Sequence, residues 1–463
     1  MSNKVFEDVI ARIPDYKVFL TVEELNASSK ALSEEYPDIV ELFTFGWARS
    51  GDEILGLKIG EGTHNALVFG LPHPNEPIGT MMLEYFTKEL ATNKALRKEL
   101  DYTWYIVKTW DSDGAKLNEG WFKGPFTLYN YSRNFFRPAG HCQVDWTFPV
   151  DYKKLKFDSP IPETQAMMKL IDRIKPRFIY SLHNAGFGGV YWYLTENIKE
   201  VYPDIKNAAT RVSIPLNLGE PEAPYCKPFA PAIYNNLGIQ EEYDYLEQYG
   251  VKDISSVIQV GTCSADYAKS RYNSFTMLTE LPYFYNKNIT DLSNSGYNRG
   301  EIVRKSMMDL RENEKKIYAS LRRTDTYMSK DNPFLVALNA FESKEDNYQA
   351  KLKMTYEDPE YAEENATVAE KFDNEWVAKF YQMLSIGLVI RANEFEMEKL
   401  DRNKEADLYK IFEAEYQEGI ELLKKKSDEL EDNMHYEVVP IRKLVSIQLE
   451  CGLIVAKYLQ EKE

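Results

Sequence analysis

The chain has 463 residues, of which 44% are hydrophobic and 28% are charged, a composition typical of globular proteins and too apolar for an intrinsically disordered one. Its 56 basic and 73 acidic residues leave a formal net charge of -17, and this negative field disfavours binding to nucleic acid or to anionic lipid. Because a single hydrophobic core stops growing near about 250–300 residues, the length predicts two domains.

The amino-terminal stretch MSNKVFEDVIARIPDYKVF contains charges and a proline, whereas a secretory signal needs an uninterrupted apolar core of about 7–15 residues. No window of the sequence approaches the roughly 20 apolar residues that a membrane-spanning helix needs. We therefore expect a cytoplasmic protein without a membrane partner.

The cysteines are far apart in the chain and form no CxxC pair, which argues against a zinc knuckle or a dithiol redox site. We expect buried free thiols at Cys142, Cys226, Cys263 and Cys451. A tight metal site must then be built from histidines and carboxylates.

Between about residue 39 and residue 285, short β-rich runs alternate with longer amphipathic segments, the pattern of an α/β domain with a central sheet. The runs 39–46 and 53–60 flank a turn that contains glycine, so we predict a hairpin. Segments 78–93 and 163–174 have apolar residues at helical spacing and should pack on the sheet. Continuous apolar or β-branched runs, typical of interior strands covered on both faces, occur at 65–71, 103–109, 177–183 and 274–280.

The character of the chain changes beyond about residue 300. β-rich runs disappear, and long charged segments follow in which apolar residues recur every three or four positions. We predict an α/β domain over residues 1–300 and an all-helical accessory domain over residues 301–463, which covers part of the first domain or mediates self-association as a homo-oligomer. The polar, proline-marked segment 343–365 is predicted to be a surface connection between helices.

Three of the predicted interior strands end in side chains that can bind a metal or move a proton. His73 and Glu76 follow the first of these strands in the turn FGLPHPNEPIG, His183 ends the third strand, and Glu280 ends the fourth. Ligand sites in open α/β sheets lie outside the carboxyl ends of the strands. The coincidence of these four groups at three strand ends therefore favours a functional site.

Two imidazoles and one carboxylate form the ligand set of many catalytic zinc ions and leave a fourth position for water. A zinc ion held by His73, Glu76 and His183 would lower the pKa of bound water from about 15.7 toward roughly 7. Glu280 would then act as the base that takes the proton of the water and later gives it to a leaving amine. The His73–Glu76 pair alone favours a structural explanation, because this spacing is a common accident, whereas all four groups together favour a metal site.

In these motifs the chain resembles the zinc carboxypeptidases of the carboxypeptidase A and B type, over roughly residues 20–290. HPNE resembles the family's HxxE and SLHN its strand-end histidine, which implies that His73, Glu76 and His183 are Zn2+ ligands. The stretch GTCSADYAKSRYNSFTMLTEL resembles the segment that leads to the family's general base, which falls on Glu280, and DSDG resembles the NPDG loop upstream of the substrate site. The resemblance also implies the family's fold, a mixed central sheet of eight strands flanked by helices.

The substrate region departs from the family's pattern. Where the family has Asp-x-Asn-Arg this chain has NYSR, so the resemblance implies that Arg133 pairs with a terminal carboxylate of the substrate and that Ser132 donates one hydrogen bond. Asn130 falls on the position that orients His73, without the family's charge. Lys123 aligns with the family's oxyanion-stabilising arginine and keeps its charge but not its fork; a plain surface lysine is the competing interpretation.

Ala265 precedes the family-like Asp266, in the part of the chain that shapes the family's side-chain pocket. With no acid at that position to select a basic terminal residue, an apolar or undemanding pocket is favoured, although neighbouring loops could supply a charge and the side-chain specificity stays open.

Taken together, these residues predict a zinc-dependent metallocarboxypeptidase whose substrate is a peptide or small amide with a free carboxylate. One alternative is an N-acyl amino acid deacylase that resembles aspartoacylase, because such deacylases use the same two histidines and glutamate. The other alternative is a binding protein on this fold that no longer turns over, which is motivated by the departures at Asn130, Ser132 and Lys123.

Overall fold

The computed structural model describes residues 3–462 and has the predicted fold class, a mixed central sheet flanked by helices and followed by a helical carboxyl-terminal part. Within these residues the strands are β1 Val40–Trp47, β2 Glu53–Ile59, β3 His64–Phe69, β4 Tyr102–Val107, β5 Val150–Tyr152, β6 Leu155–Phe157, β7 Phe178–Leu182, β8 Tyr191–Leu194, β9 Pro228–Ala230, β10 Ile233–Asn235, β11 Phe275–Glu280, β12 Phe284–Tyr285, β13 Asn294–Asn298, β14 Asn365–Thr367 and β15 Glu437–Val438.

The helices of the same residues begin with α1 Lys4–Ala11, α2 Val22–Glu35, α3 Ile78–Thr92, α4 Lys94–Leu100, α5 Ser112–Lys116, α6 Glu119–Phe122, α7 Leu128–Asn134, α8 Pro162–Ile174, α9 Tyr202–Arg211, α10 Ile239–Gln248, α11 Ile254–Val257 and α12 Ser264–Tyr272. They continue in the carboxyl-terminal part with α13 Arg299–Leu321, α14 Pro333–Phe341, α15 Glu345–Glu357, α16 Pro359–Ala362, α17 Val368–Phe372, α18 Ala378–Lys399, α19 Ala406–Met434 and α20 Ile441–Glu461.

Within residues 3–462 the main sheet has nine strands, one more than the resemblance implied. Their order is β1-β2-β4-β3-β7-β11-β8-β10-β9. β1 and β2 form the predicted antiparallel hairpin. The next four strands across the sheet, β4, β3, β7 and β11, run parallel to one another. Parallel strands end at the same edge of a sheet, so the loops that follow β3, β7 and β11 meet there.

The interior strands are buried on both faces, as their continuous apolar runs predict. In β3, Ala66 and Val68 belong to the hydrophobic cluster on the face where α3, α9 and α20 pack. Leu67 and Phe69 belong to the cluster on the other face, which includes buried residues of α8 and α12. Burial on both faces holds the strand in register and so determines where its last residue lies.

The last helix, α20, packs on the sheet. The Tyr180 hydroxyl of β7 donates to the backbone oxygen of Gln448 at 2.7 Å, and the Tyr102 hydroxyl of β4 donates to that of Ala456 at 3.0 Å. Residues from both sides of position 300 share one hydrophobic cluster. The division into domains 1–300 and 301–463 stays a prediction.

The segment 343–365, predicted to be a surface connection, is largely helical and consists mainly of α15 and α16. Ala350 and Met354, four positions apart on α15, are each 1% exposed and supply a buried contact that its polar composition hides. Pro359 occupies the first turn of α16, where a proline begins a helix instead of ending one. The prediction of a connection between helices was therefore wrong, whereas most of the segment is exposed as predicted.

All four cysteines are free thiols, as predicted. Cys226, Cys263 and Cys451 are buried, whereas Cys142 is half-buried, so the prediction of burial was wrong for that residue. Among residues 3–462, no helix combines the length and the apolar character that crossing a membrane requires.

Candidate metal centre and substrate cavity

The loop between β3 and α3 carries His73 and Glu76. The first backbone N–H of α3 donates to Asn184 Oδ1 at 3.1 Å, which joins this loop to the loop that follows β7. Gly79 permits the close approach of α3 to the end of β7, because a Cβ atom at this position would lie 2.5 Å from the Cβ of Leu182. The first turn of α3 therefore brings together the two loops that carry the predicted ligands.

His73, Glu76 and His183 form one buried cluster. His73 Nδ1 lies 3.0 Å from Glu76 Oε1, and His183 Nδ1 lies 3.1 Å from Glu76 Oε2. One potential ligand atom of each residue lies within 4.8 Å of the others, so the cluster could hold a metal ion. Ser181 Oγ and His183 Nε2 are 2.8 Å apart, a contact that orients the imidazole.

The protonation state of the cluster suits a cation. Burial and the charge of Arg137 lower the pKa of His73 to about 3, which keeps its imidazole neutral at neutral pH. Burial opposes ionisation of Glu76, but the contacts of its carboxylate with His73 and His183 outweigh burial and hold its pKa below the usual range.

Two imidazole nitrogens of the cluster also point to a bound ion. His73 Nε2 and His183 Nδ1 are buried and have no hydrogen-bond partner within residues 3–462. A buried polar atom without a partner is unfavourable, and His183 Nδ1 lies beside a carboxylate oxygen. A cation coordinated by that nitrogen and that oxygen would satisfy both, so the donor set fits a metal.

Glu280 ends β11 beside this cluster, and its Oε1 lies 3.6 Å from His183 Nδ1. The Glu280 side chain is only 8% exposed and lines the cavity described below. Burial, together with the nearby carboxylates of Glu222 and Glu76, raises its pKa well above the usual range. Such a carboxylate has a high proton affinity next to the metal ligands, the combination that a general base needs.

A cavity of about 700 Å³ opens over the cluster, and His73, Glu76, His183 and Glu280 all line it. This volume lies within the range of sites that take small ligands. The helical carboxyl-terminal part forms much of the remaining wall, with Tyr361, Asp373, Tyr381, Leu384 and Leu388 among the residues that reach the cavity.

Arg137 lines the cavity beside the cluster, although the sequence did not single it out. Its Nη1 lies 3.5 Å from Glu76 Oε1, and 30% of the side chain is exposed. The available signal was a second arginine four positions after Arg133, in SRNFFRP. The family's Asp-x-Asn-Arg pattern favoured Arg133, the first of the two arginines. The spacing of the two arginines does not tell which guanidinium lies beside the metal ligands.

Arg133 and Ser132 lie outside the cavity, which corrects their predicted contacts with a substrate. Both belong to α7, which α18 covers. Arg133 Nη2 donates to Glu394 Oε1 at 2.6 Å and to the Tyr416 hydroxyl at 3.4 Å. Ser132 is fully buried, and a Cβ atom on Gly387 of α18 would lie 1.8 Å from its backbone oxygen. The covering helix comes much later in the chain, so a local motif does not reveal it.

Lys123 and Asn130 also make their contacts away from the cluster. Lys123 Nζ donates to Glu24 Oε2 at 2.6 Å, an exposed ion pair. Asn130 Nδ2 donates to the backbone oxygen of Pro125 at 2.9 Å and does not orient His73. The oxyanion role predicted for Lys123 and the orienting role predicted for Asn130 were therefore wrong.

The cavity has more acidic side chains than we expected from Ala265, which favoured an apolar or undemanding pocket. Ala265 lines the cavity, but so do Asp145, Glu222 and Asp373. Burial raises the pKa of Asp145 to about 6 and that of Asp373 to about 7. These acids belong to separate loops and helices, which the sequence did not connect with the strand ends.

The mixed sheet with a His–Glu–His cluster at the ends of its parallel strands defines an α/β protein with a prepared metal site. A family model described as zinc carboxypeptidase matches residues 25–291, and the chain belongs to this family. Zn2+ is the metal of the family, and the cluster of His73, Glu76 and His183 fits a zinc site. A comparison with curated proteins gave no significant match.

Solved metallocarboxypeptidase structures are similar to the chain at low sequence identity. Carboxypeptidase A from Helicoverpa armigera is 15% identical, and the match covers 60% of this chain and 71% of that chain with a TM-score of 0.39. A metallo-carboxypeptidase from Burkholderia cenocepacia is 13% identical over 59% of this chain and 61% of its own, with a TM-score of 0.31. Bovine thrombin-activatable fibrinolysis inhibitor, solved in complex with tick carboxypeptidase inhibitor, is 14% identical over 56% and 86%, with a TM-score of 0.31.

Proposed function

We propose that the protein is a zinc-dependent metallocarboxypeptidase that hydrolyses an amide bond at the carboxyl-terminal end of a peptide-like substrate. The observation that carries the proposal is the convergence of His73, Glu76 and His183 beside Glu280 in one cavity. The helical wall of this cavity favours a chain end or a small amide over an extended peptide segment.

The residues around the cluster have distinct tasks in the proposed reaction. Zn2+ bound there would supply a Lewis acid that polarises the scissile carbonyl and lowers the pKa of water. Glu280 accepts a proton from the attacking water and returns it to the leaving amine, a task that its raised pKa favours. Arg137, beside Glu76, donates to the oxygen on which negative charge develops.

Metal analysis combined with a hydrolysis screen of the wild type and Glu280→Gln tests the proposal. We expect stoichiometric zinc in both proteins, because Glu280 is not a ligand, and a loss of turnover of about 10²–10⁴-fold in the variant. Glu421→Gln, at an exposed position of α19, is the matched control and should keep wild-type turnover. Hydrolysis by Glu280→Gln at the wild-type rate would contradict the assigned base.

Hydrolysis of small N-acyl amino acids is a second candidate function. The two histidines and the glutamate of the cluster are of the types that N-acyl amino acid deacylases use, and Arg133 binds Glu394 and Tyr416 instead of presenting its guanidinium to a peptide terminus. A panel of peptides and N-acyl amino acids separates the two activities, and turnover confined to the acyl compounds would select the deacylase. Stoichiometric zinc without hydrolysis of any compound would select a non-catalytic binding protein.

A further inference from the structure

One wall of the cavity carries a carboxylate that the proposed hydrolysis does not use. Glu222 lines the cavity, and its Oε2 accepts a hydrogen bond from the Tyr193 hydroxyl at 3.0 Å. Its Oε1 accepts a hydrogen bond from the Tyr191 hydroxyl. The two tyrosines lie two positions apart on β8, so they share one face of the sheet, and both side chains are buried. Two buried donors therefore hold this exposed carboxylate in one place.

Among residues 3–462, no cation forms an ion pair with Glu222, whose hydrogen-bond partners are the two tyrosine hydroxyls. Glu220, two positions earlier, binds Arg299 with a shortest distance of 2.6 Å. Arg137 lies against Glu76 on the side of the metal ligands. The charge of Glu222 is therefore available to a group that enters the cavity.

The aromatic surroundings of Glu222 also suit a cation. Tyr191, Tyr193 and Tyr381 all line the cavity, and the rings of Tyr191 and Tyr193 lie edge to face with centroids 5.9 Å apart. Tyr381, on α18, is 42% exposed and presents an open aromatic surface. Aromatic faces attract ammonium and guanidinium groups through their quadrupole. The exposed ring of Tyr381 therefore supports a cationic ligand in addition to the carboxylate.

Strand pairing places this group of side chains next to the reacting position. Tyr191 of β8 lies directly opposite Glu280 of β11 in the antiparallel register. Glu222 accepts a hydrogen bond from Tyr191, and Glu222 and Glu280 line the same cavity. A substrate group bound by Glu222 therefore lies near the bond that Glu280 helps to hydrolyse.

We propose that Glu222 is a specificity-determining residue, which binds an ammonium or guanidinium group of the substrate close to the scissile amide. The inference deepens the proposed function and rests on it for the hydrolytic step, but the binding that it assigns needs no turnover. A cation would form a charge-assisted hydrogen bond with the carboxylate of Glu222. A neutral apolar group would remove water from this carboxylate without forming such a bond. Discrimination between cationic and neutral substrates follows from that difference.

The helical part of the molecule holds the loop of Glu222 in position. The backbone N–H of Glu220 donates to Asp373 Oδ2 at 2.9 Å. Asp373 begins a π-helical turn, Asp373–Val377, just before α18. Together with the ion pair between Glu220 and Arg299, this bond fixes the backbone two residues before Glu222.

Equilibrium binding to the zinc-loaded protein tests the assignment with two pairs of compounds. L-lysine is compared with L-norleucine, which lacks the terminal ammonium, and L-arginine is compared with its neutral isostere L-citrulline. In isothermal titration calorimetry we expect the wild type to bind each cation at least about ten-fold more tightly than its neutral partner. Glu222→Gln keeps an oxygen acceptor for one of the two tyrosines but lacks the charge. The variant should bind all four compounds within about two-fold of the wild-type affinity for the neutral ones.

Glu421→Gln removes one negative charge outside the cavity and should keep the wild-type preference. Circular dichroism and zinc content show whether Glu222→Gln is folded. Tyr193→Phe, which removes one hydrogen-bond donor to Glu222, is a second variant that we expect to weaken only the binding of cations.

The assignment would be overturned by wild-type protein that binds the neutral partners as tightly as the cations, or that binds none of the four compounds. A preserved preference for cations in Glu222→Gln would overturn it as well. Preference for the cations without hydrolysis of any peptide would instead reject the proposed reaction and leave the role of Glu222 in place.

Discussion

Two arginines four positions apart, Arg133 and Arg137, have opposite surroundings. Arg133 is 15% exposed and donates to Glu394 and Tyr416 beneath α18. Arg137 is 30% exposed, lines the cavity and lies 3.5 Å from Glu76. Both guanidinium groups have the same donors and the same affinity for oxyanions. Only the tertiary contacts decide which of them is open to a substrate.

At the level of this residue, we expect Arg137→Gln to lower kcat/KM by about 10²–10³-fold, the loss typical of removing one donor to a developing oxyanion. The zinc content should not change, because Arg137 is not a ligand. Steady-state kinetics and metal analysis of the purified variant measure both quantities.

Lys123→Gln is the control for the Arg137 substitution, because Lys123 carries the same charge but pairs with Glu24 outside the cavity. Its kcat/KM should stay within about two-fold of the wild type. A large loss in Lys123→Gln with full activity in Arg137→Gln would reverse the assignment of the oxyanion donor.

At the scale of secondary structure, the packing of α18 on α7 determines which residues reach the cavity. Gly387 lies where the two helices are closest, and a Cβ atom there would lie 1.8 Å from the backbone oxygen of Ser132. One helical turn later, Arg391 donates to the backbone oxygen of Asn134, the last residue of α7, at 2.8 Å. α18 therefore closes over the NYSR motif while its other residues, including Tyr381, line the cavity.

We expect Gly387→Ala to destabilise the protein, although alanine favours a helix over glycine by about 1 kcal/mol. The added methyl group would contact a backbone oxygen, which cannot move away by a side-chain rotation. Overpacking of this kind costs about 1–3 kcal/mol or more. The thermal unfolding midpoint should fall by a few degrees, as measured by circular dichroism.

Glu398→Ala places an alanine at an exposed position of α18, where its methyl group faces solvent instead of a backbone oxygen, and serves as the control with an unchanged midpoint. If Gly387→Ala unfolded at or above the wild-type temperature, α18 would be able to move away from α7, and the close contact would not hold the wall of the cavity.

At the scale of the whole molecule, the metal ligands and the cavity wall come from different parts of the chain. The central sheet supplies His73, Glu76 and His183, whereas the helical part supplies wall residues such as Tyr381 and Asp373. A metal bound at the strand ends would therefore stabilise the folded sheet, because the unfolded chain does not hold the three ligands together.

Chelation of zinc should lower the thermal midpoint of the wild type, and added zinc should restore it. A ligand that binds only the folded protein stabilises it by about 4 kcal/mol at a concentration of a thousand times its Kd. His73→Ala lacks one ligand, so its midpoint should be nearly the same with and without zinc. Differential scanning fluorimetry at several zinc concentrations measures the response without any substrate.

His141→Ala changes an exposed histidine outside the cluster and should respond to zinc as the wild type does. A wild-type midpoint that ignores both chelation and added zinc would contradict a tight metal site at the strand ends.

The interior strands were predictable because strands covered on both faces need continuous apolar runs, and β3, β7 and β11 have them. Their parallel order brings their carboxyl ends together, so His73, His183 and Glu280 could be grouped from the residues that follow each strand. The same reasoning failed for Arg133, because this residue lies on α7 and not at a strand end. Its side-chain partner Glu394 belongs to a helix far away in the chain.

By itself, the amino-acid sequence determined the central strands, the His–Glu–His set with its neighbouring glutamate, and the family to which the chain belongs. These features depend on periodic burial and on side chains close to strand ends, both of which are local. Only the tertiary structure decided that Arg137 and Glu222 line the cavity and that Arg133 and Lys123 do not. The physical reason is that access to the cavity depends on how distant helices and loops pack, and local patterns carry little information about that packing.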